Sequence, residues 1–267
     1  MNRRVFEIAA QRATLKIGEE FGDRFPMYFV AGYPRSGTTW VSQMLADYLQ
    51  VPFPQHYLLP ILGSAVIHSH ANPDVRVGNA FYIVRDGRDV MVSYYFYVIR
   101  KMKMGKNRMS ARFRPVLEQS DTIESARKQL PVFIKSIFKK PRGTGTKLNW
   151  SDYNIGWHKR ILNPESGIIR LKYEDLLEEP VQAFRIALDQ RFGYVDMDRL
   201  RDSVKKYSMR RQKEKPSIDQ GTYLRKGTAG DWKNYFTKTA AELFDHYAGE
   251  ALVLLGYEKD RKWVENL

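Results

Sequence analysis

The chain has 267 residues, 43% of them hydrophobic, with 44 Lys and Arg against 30 Asp and Glu and a formal net charge of +14. That length and apolar content suit one α/β domain, residues 1–267, and exclude a disordered chain. Cysteine is absent, which rules out disulfides, Cys-ligated zinc and a Cys nucleophile; the cationic excess attracts anions without choosing among a nucleotide, a nucleic acid, an acidic glycan and an anionic membrane.

Residues 2–21 read as an amphipathic helix. The N-terminal stretch Met1 to Ile8 is charged and lacks the long apolar core of a signal peptide, and no apolar run in the chain reaches the ~18 residues of a membrane span. A cytoplasmic protein is expected. Met27 to Ala31 reads as a buried strand, and the helix after it runs from about 39 to 49. Between them lies Gly32-Tyr33-Pro34-Arg35-Ser36-Gly37-Thr38-Thr39-Trp40. A glycine-bearing turn between strand and helix aims backbone N–H groups at one point and attracts phosphate or sulfate there. The spacing nearly matches a P-loop, but Thr38 stands where the triphosphate-binding lysine belongs, and the cation is Arg35 inside the loop.

Pro52 and Pro54 break the chain, and Ala65 to His70 reads as a short strand with a polar tip. A strand at 81–85 ends on Arg85, at the edge where ligands of open α/β sheets bind. Asp86-Gly87-Arg88-Asp89 then turns into a helix from about 89 to 100, with Asp89 the expected N-cap. Ser93 lies one helical turn further on, and an Arg fork with a hydroxyl suits a phosphate monoester. Residues 100–115 read as a basic loop or helix face, and 141–149 as a loop. A strand at 167–173 and helices at 181–192 and 196–208 follow. Residues 210–230 are polar and basic, and a helix at 238–255 closes the chain. Strands alternating with helices predict an α/β fold with a mostly parallel central sheet flanked by helices.

Three separated basic turns carry the chemistry: Tyr33 to Trp40, Tyr82-x-x-Arg85 through Ser93, and Arg225-Lys226-Gly227-x-x-Gly230-Asp231-Trp232-Lys233. Together with Tyr173-Glu174-Asp175-Leu176 they resemble, in order, the motifs of sulfotransferases that use 3′-phosphoadenosine 5′-phosphosulfate (PAPS). The resemblance implies transfer of a sulfuryl group from PAPS to a hydroxyl or amine. It implies a P-loop-like phosphosulfate loop of Arg35, Ser36, Gly37, Thr38 and Thr39. It places Arg85, Ser93, Arg225, Lys226 and Gly227 on the 3′-phosphate, and Trp40, Tyr173 and Tyr207 near the adenine. Val66-Ile67-His68-Ser69-His70 is similar to the family's I-I-K-T-H, whose last His takes the acceptor proton, so His70 is the expected base and His68 stands where the family has lysine. Arg35 replaces the family's loop lysine; it clamps an anion but donates no proton at neutral pH, so its catalytic role is electrostatic.

No carboxylate and histidine cluster has metal spacing, so no metal ion is expected. Asp86, Asp89 and Asp231 read as a turn residue, a cap and a loop brace. The aromatic run Tyr94-Tyr95-Phe96-Tyr97 reads mostly as core. Two other readings compete: a P-loop-like nucleotide or small-molecule kinase, and a non-catalytic basic nucleic-acid-binding protein. A missing Lys at position 38 opposes the first, and the absence of a nucleic-acid motif opposes the second. The family's dimer motif is partial: Lys233, Thr237 and Glu242 fit, but Lys238 replaces a Val, leaving the oligomeric state open. The acceptor, a small molecule or a glycan or lipid hydroxyl, is expected against residues 53–64, 100–120 and 136–155.

Overall fold

The computed structural model describes residues 3–21, 27–55, 63–75, 77, 80–105, 108–141, 146–214 and 225–267. These fall into two compact units. One holds Met1–Val84 and Gly156–Arg211, the other Arg85–Ile155 and Gln212–Leu267.

The first unit is built on a four-stranded sheet: β1 (Met27–Gly32), β2 (Ala65–Ser69), β3 (Ala80–Val84) and β4 (Ile169–Lys172), in the order β2-β1-β3-β4. Every pairing is parallel. Parallel strands are covered on both faces, which is why β2 and β3 are wholly buried runs without alternation. On one face Val30, Val66, Phe81, Ile83 and Leu171 pack with Val41, Met44 and Leu45 of α2 (Thr38–Leu49). Phe184 and Leu188 of α8 (Pro180–Phe192) and Leu200 of α9 (Met197–Lys206) join the same core. On the opposite face Gly18 of α1 (Arg3–Phe21) lies against Phe29. Trp157, in α6 (Trp150–Ile161), stacks on Tyr82 with ring centroids 5.3 Å apart. The α/β class, the parallel sheet and its flanking helices are as the sequence reading expects. Strand order reverses at β1: the chain steps to β2 on one side and then to β3 on the other. Ligands of such sheets bind beyond the carboxyl ends of the strands at that switch.

The second unit is helical. Its main helices are α3 (Gly87–Lys103), α5 (Ile123–Lys139) and α11 (Lys238–Leu254), with 3-10 turns at Asp231–Asn234 and Arg261–Asn266. The aromatic run expected in the core divides: Tyr94 and Tyr95 are buried, each edge-on to Phe133 of α5, while Phe96 and Tyr97 are half-buried. Phe138 of α5 stacks on Tyr247 of α11 at 5.0 Å.

Several local expectations are corrected. Asp89 does not cap α3; Asp86 does, accepting from the Arg88 backbone N–H at 2.9 Å. Of the two readings of the basic stretch 100–115, the helical one holds for the end of α3 and for α4 (Arg108–Phe113), with Met102 and Phe113 buried. Tyr173 does not end a strand but opens the short helix α7 (Tyr173–Glu178). Residues 209–214 form α10 (Met209–Glu214). Residues 215–224, with much of the expected acceptor segment 53–64 and loop 141–149, lie outside the described residues. Among the described residues no helix is long and apolar enough to cross a membrane.

Candidate active site

The loop after β1 is bent by two residues with positive φ, Arg35 at 77° and Gly37 at 95°. A left-handed conformation costs a non-glycine residue about 1–2 kcal/mol, strain that persists where the surroundings over-determine it. Gly37 is fixed twice, by its φ and by space: an added Cβ would lie 2.8 Å from Tyr173 Cδ2.

Gly37 is also the N-cap of α2, and it supplies no side-chain cap. Helices α3, α5, α9 and α11 are instead capped by Asp86, Thr122, Asp196 and Thr237. The first N–H groups of a helix need acceptors, and the helix dipole adds partial positive charge there. Ser36 points to the same need. It is fully buried, and its hydroxyl has no hydrogen-bond partner among the described residues. Such a loop suits an external anion.

Two histidines at the end of β2 adjoin this loop. His70 Nδ1 lies 2.7 Å from the Gly32 carbonyl oxygen. A carbonyl only accepts, so Nδ1 carries the proton and the neutral ring keeps its lone pair on Nε2. That is the tautomer a general base needs. His68 is 7% exposed, and its Nε2 sits 2.6 Å from Thr38 Oγ1. The two imidazoles meet edge to face at 4.6 Å. Trp40 packs edge-on to Tyr173 at 5.8 Å and donates through Nε1 to the Tyr207 carbonyl at 2.8 Å. Trp40 and Tyr173 are both core residues, and Tyr207 packs at the margin of that core, its backbone oxygen holding the indole.

In the second unit Arg85 and the loop from Arg225 come together. Arg85 Nη2 donates to the Thr228 carbonyl at 3.2 Å. Asp89 accepts from the Gly230 and Trp232 N–H groups at 2.7 and 2.9 Å, so it is the brace of this loop. Burial raises its pKa, against the pull of Arg85 and those two hydrogen bonds. Arg225 and Lys226, expected on a phosphate, are held by Asp231: Arg225 through Nη2, Lys226 through Nζ at 2.9 Å. Burial pushes Asp231 up, but these cations and Asn234 outweigh it and bring its pKa below the usual carboxylate value. The Arg225 guanidinium also lies over Phe96 and Tyr235, and its Nε is buried without a partner among the described residues. Gly227 takes φ 65°. Ser93 is buried one turn along α3 from Asp89.

Arg88 is a residue the sequence reading missed. Its guanidinium grips Asp86 with Nε and Nη2 at 3.0 and 2.8 Å and bonds Glu258 through Nη1. It also lies over the rings of Trp232 and Trp263, at 4.0 and 4.7 Å. The local signal was Asp86-x-Arg88 at a helix start; the other partners are far away in sequence. Among the described residues no cluster of three or more His, Asp or Glu could hold a metal ion.

A sulfotransferase domain family model matches residues 78–256, more than half of the chain. The chain belongs to the sulfotransferase domain family. The matched span contains Arg85, Ser93, Tyr173 and the Arg225 loop. Similarity to individual relatives covers more of the chain. The chain is 25% identical to a flavonol 3-sulfotransferase of Flaveria bidentis, with 85% of this chain and 82% of that one covered. It is 24% identical to sulfotransferase 1B1 of Canis lupus familiaris, covering 85% and 83%. Its fold resembles that of mouse sulfotransferase SULT7A1, solved in complex with PAP, at TM-score 0.65 and 20% identity, covering 94% and 96%.

Proposed function

We propose that this sulfotransferase moves the sulfuryl group of PAPS onto a hydroxyl of a small-molecule, glycan or lipid acceptor, with His70 as general base. The N-terminus of α2, which has no side-chain cap, carries this reading, beside a buried Ser36 hydroxyl without a hydrogen-bond partner among the described residues. The 5′-phosphosulfate supplies the anion both need, and the residues fit it.

In the proposed mechanism the first unit performs the chemistry. His70, fixed by the Gly32 carbonyl, takes the acceptor proton at Nε2. Such a base contributes about 10²–10⁴ in rate. The α2 N–H groups and the hydroxyls of Ser36, Thr38 and Thr39 stabilise charge that grows on the leaving phosphate. Arg35 adds a permanent cation there. Trp40, Tyr173 and Tyr207 are assigned to the adenine. In the second unit Arg85, Ser93, Arg225, Lys226 and Gly227 are assigned to the 3′-phosphate, with Asp89 and Asp231 holding the loop that carries the last three. The orphaned Arg225 Nε suits that assignment.

The test is incubation with radiolabelled PAPS and a panel of phenols, alcohols, lipids and sugars. A labelled product that disappears in His70→Ala, with binding of the desulfated nucleotide retained, is expected. Failure of wild-type protein to bind that nucleotide would overturn the reading.

A further inference from the structure

Thr38 has one hydroxyl proton, and the ring beside it decides where that proton points. Thr38 is 3% exposed and opens α2, at the helix end assigned above to the phosphosulfate. Its Oγ1 lies 2.6 Å from His68 Nε2. If Nε2 carries a lone pair, Thr38 donates to the ring and turns its own lone pairs outward, toward any anion in the loop. If Nε2 carries a proton, Thr38 accepts from the ring and its O–H is released to donate to that anion. A protonated ring also adds a cation one hydrogen bond away from it.

From this we infer that His68 is a positioning residue whose proton sets the polarity of the Thr38 hydroxyl, so that anion binding and protonation of His68 favour one another. The inference rests on the donor site proposed above. Several described groups stand around His68. His70 faces it on the same strand end. β1 presents Val30 in register with it, and Ala31 next along. Arg35 stands in the loop after β1. In α2 the carboxylate Asp47 lies at the far end, bound to Lys206. Before β2, the Gln55 carbonyl accepts the His68 backbone N–H. Arg35 and a charged His70 oppose a proton on His68; an anion in the loop favours it.

Calorimetry of 3′-phosphoadenosine 5′-phosphate binding tests this, in buffers of differing protonation enthalpy near neutral pH. The phosphates of the nucleotide titrate near pH ~6 themselves. They contribute equally in every protein, so the difference between proteins is read. Wild type is expected to take up more protons than His68→Gln, whose amide can donate to Thr38 but cannot titrate. His70→Gln is expected to keep the wild-type excess. Wild-type affinity is expected to fall about tenfold more than that of His68→Gln as pH rises from about 6 to about 8, the effect of a one-unit pKa rise on binding. Should His68→Gln fail to fold, ring NMR of the wild-type histidines reads the same linkage, as an upward shift of the His68 titration with nucleotide. Tight binding with equal proton uptake in wild type and His68→Gln, or an unmoved His68 titration, would overturn the inference and leave the donor site standing. No nucleotide binding by wild type would remove both.

Discussion

Gly37→Ala tests the proposed phosphosulfate loop at its left-handed turn. Two costs follow from the structure. Alanine at φ 95° is left-handed, worth about 1–2 kcal/mol. The new methyl would also stand 2.8 and 2.9 Å from Tyr173 Cδ2 and Cε2. Tyr173 is 4% exposed and wedged against Trp40, so it cannot swing away freely, and overpacking of this kind adds about 1–3 kcal/mol. The sum is roughly 2–5 kcal/mol, a fall in Tm of about 5–15 °C for a chain of this size. Gly193→Ala is the control. It shares a positive φ, 67°, but an added Cβ there meets nothing within 4 Å, so only the backbone cost remains. Differential scanning calorimetry with and without 3′-phosphoadenosine 5′-phosphate separates fold from function. Gly193→Ala should keep the ligand-induced rise in Tm; Gly37→Ala should lose most of it. Equal Tm losses for the two variants, with both ligand responses intact, would refute the account of the loop.

Further outcomes follow from single contacts. Arg85→Ala should weaken binding of the desulfated nucleotide about 10–100-fold by calorimetry, the loss of charged hydrogen bonds worth about 1.5–3 kcal/mol; unchanged affinity would contradict the assigned 3′-phosphate site. Arg88→Met should destabilise by about 3–5 kcal/mol in urea unfolding, since it strands the buried Asp86 carboxylate. Asp231 has a lowered folded pKa, so its contribution is present above the ordinary carboxylate range and is lost as pH falls through it. Asp231→Asn should therefore flatten the acid limb of a stability–pH curve. Asp89, shifted upward, gives the opposite sign: its ionisation destabilises the fold as pH rises above the ordinary carboxylate value, and Asp89→Asn should remove that slope.

The sheet was readable because β1 and β3 are short apolar runs feeding glycine turns, and buried parallel strands need little else. The loop of residues 33–40 was readable because its spacing is tied to backbone geometry. Helix α5 escaped because Pro131 interrupts its pattern, and α6 because polar residues break up its apolar face. Asp89 was misread as a cap because three cap-type residues, Asp86, Gly87 and Asp89, crowd that turn, and it is the Asp86 side chain, just ahead of the helix, that accepts the Arg88 N–H. Arg88 could not be found locally: Glu258 lies 170 positions away. What joins Trp40 and Tyr207 is an indole N–H on a backbone carbonyl, which no side-chain pattern records.

Asp231 offsets part of the charge of Arg225 and Lys226 before any guest arrives. If the proposed assignment holds, an incoming phosphate shares Arg225 and Lys226 with a resident carboxylate, so the grip has a built-in ceiling. The same counter-anion keeps both side chains aimed and spares the entropy of ordering them. Under the proposed assignment, a spent nucleotide meets the same ceiling on its way out, and rapid turnover depends on that as much as on capture.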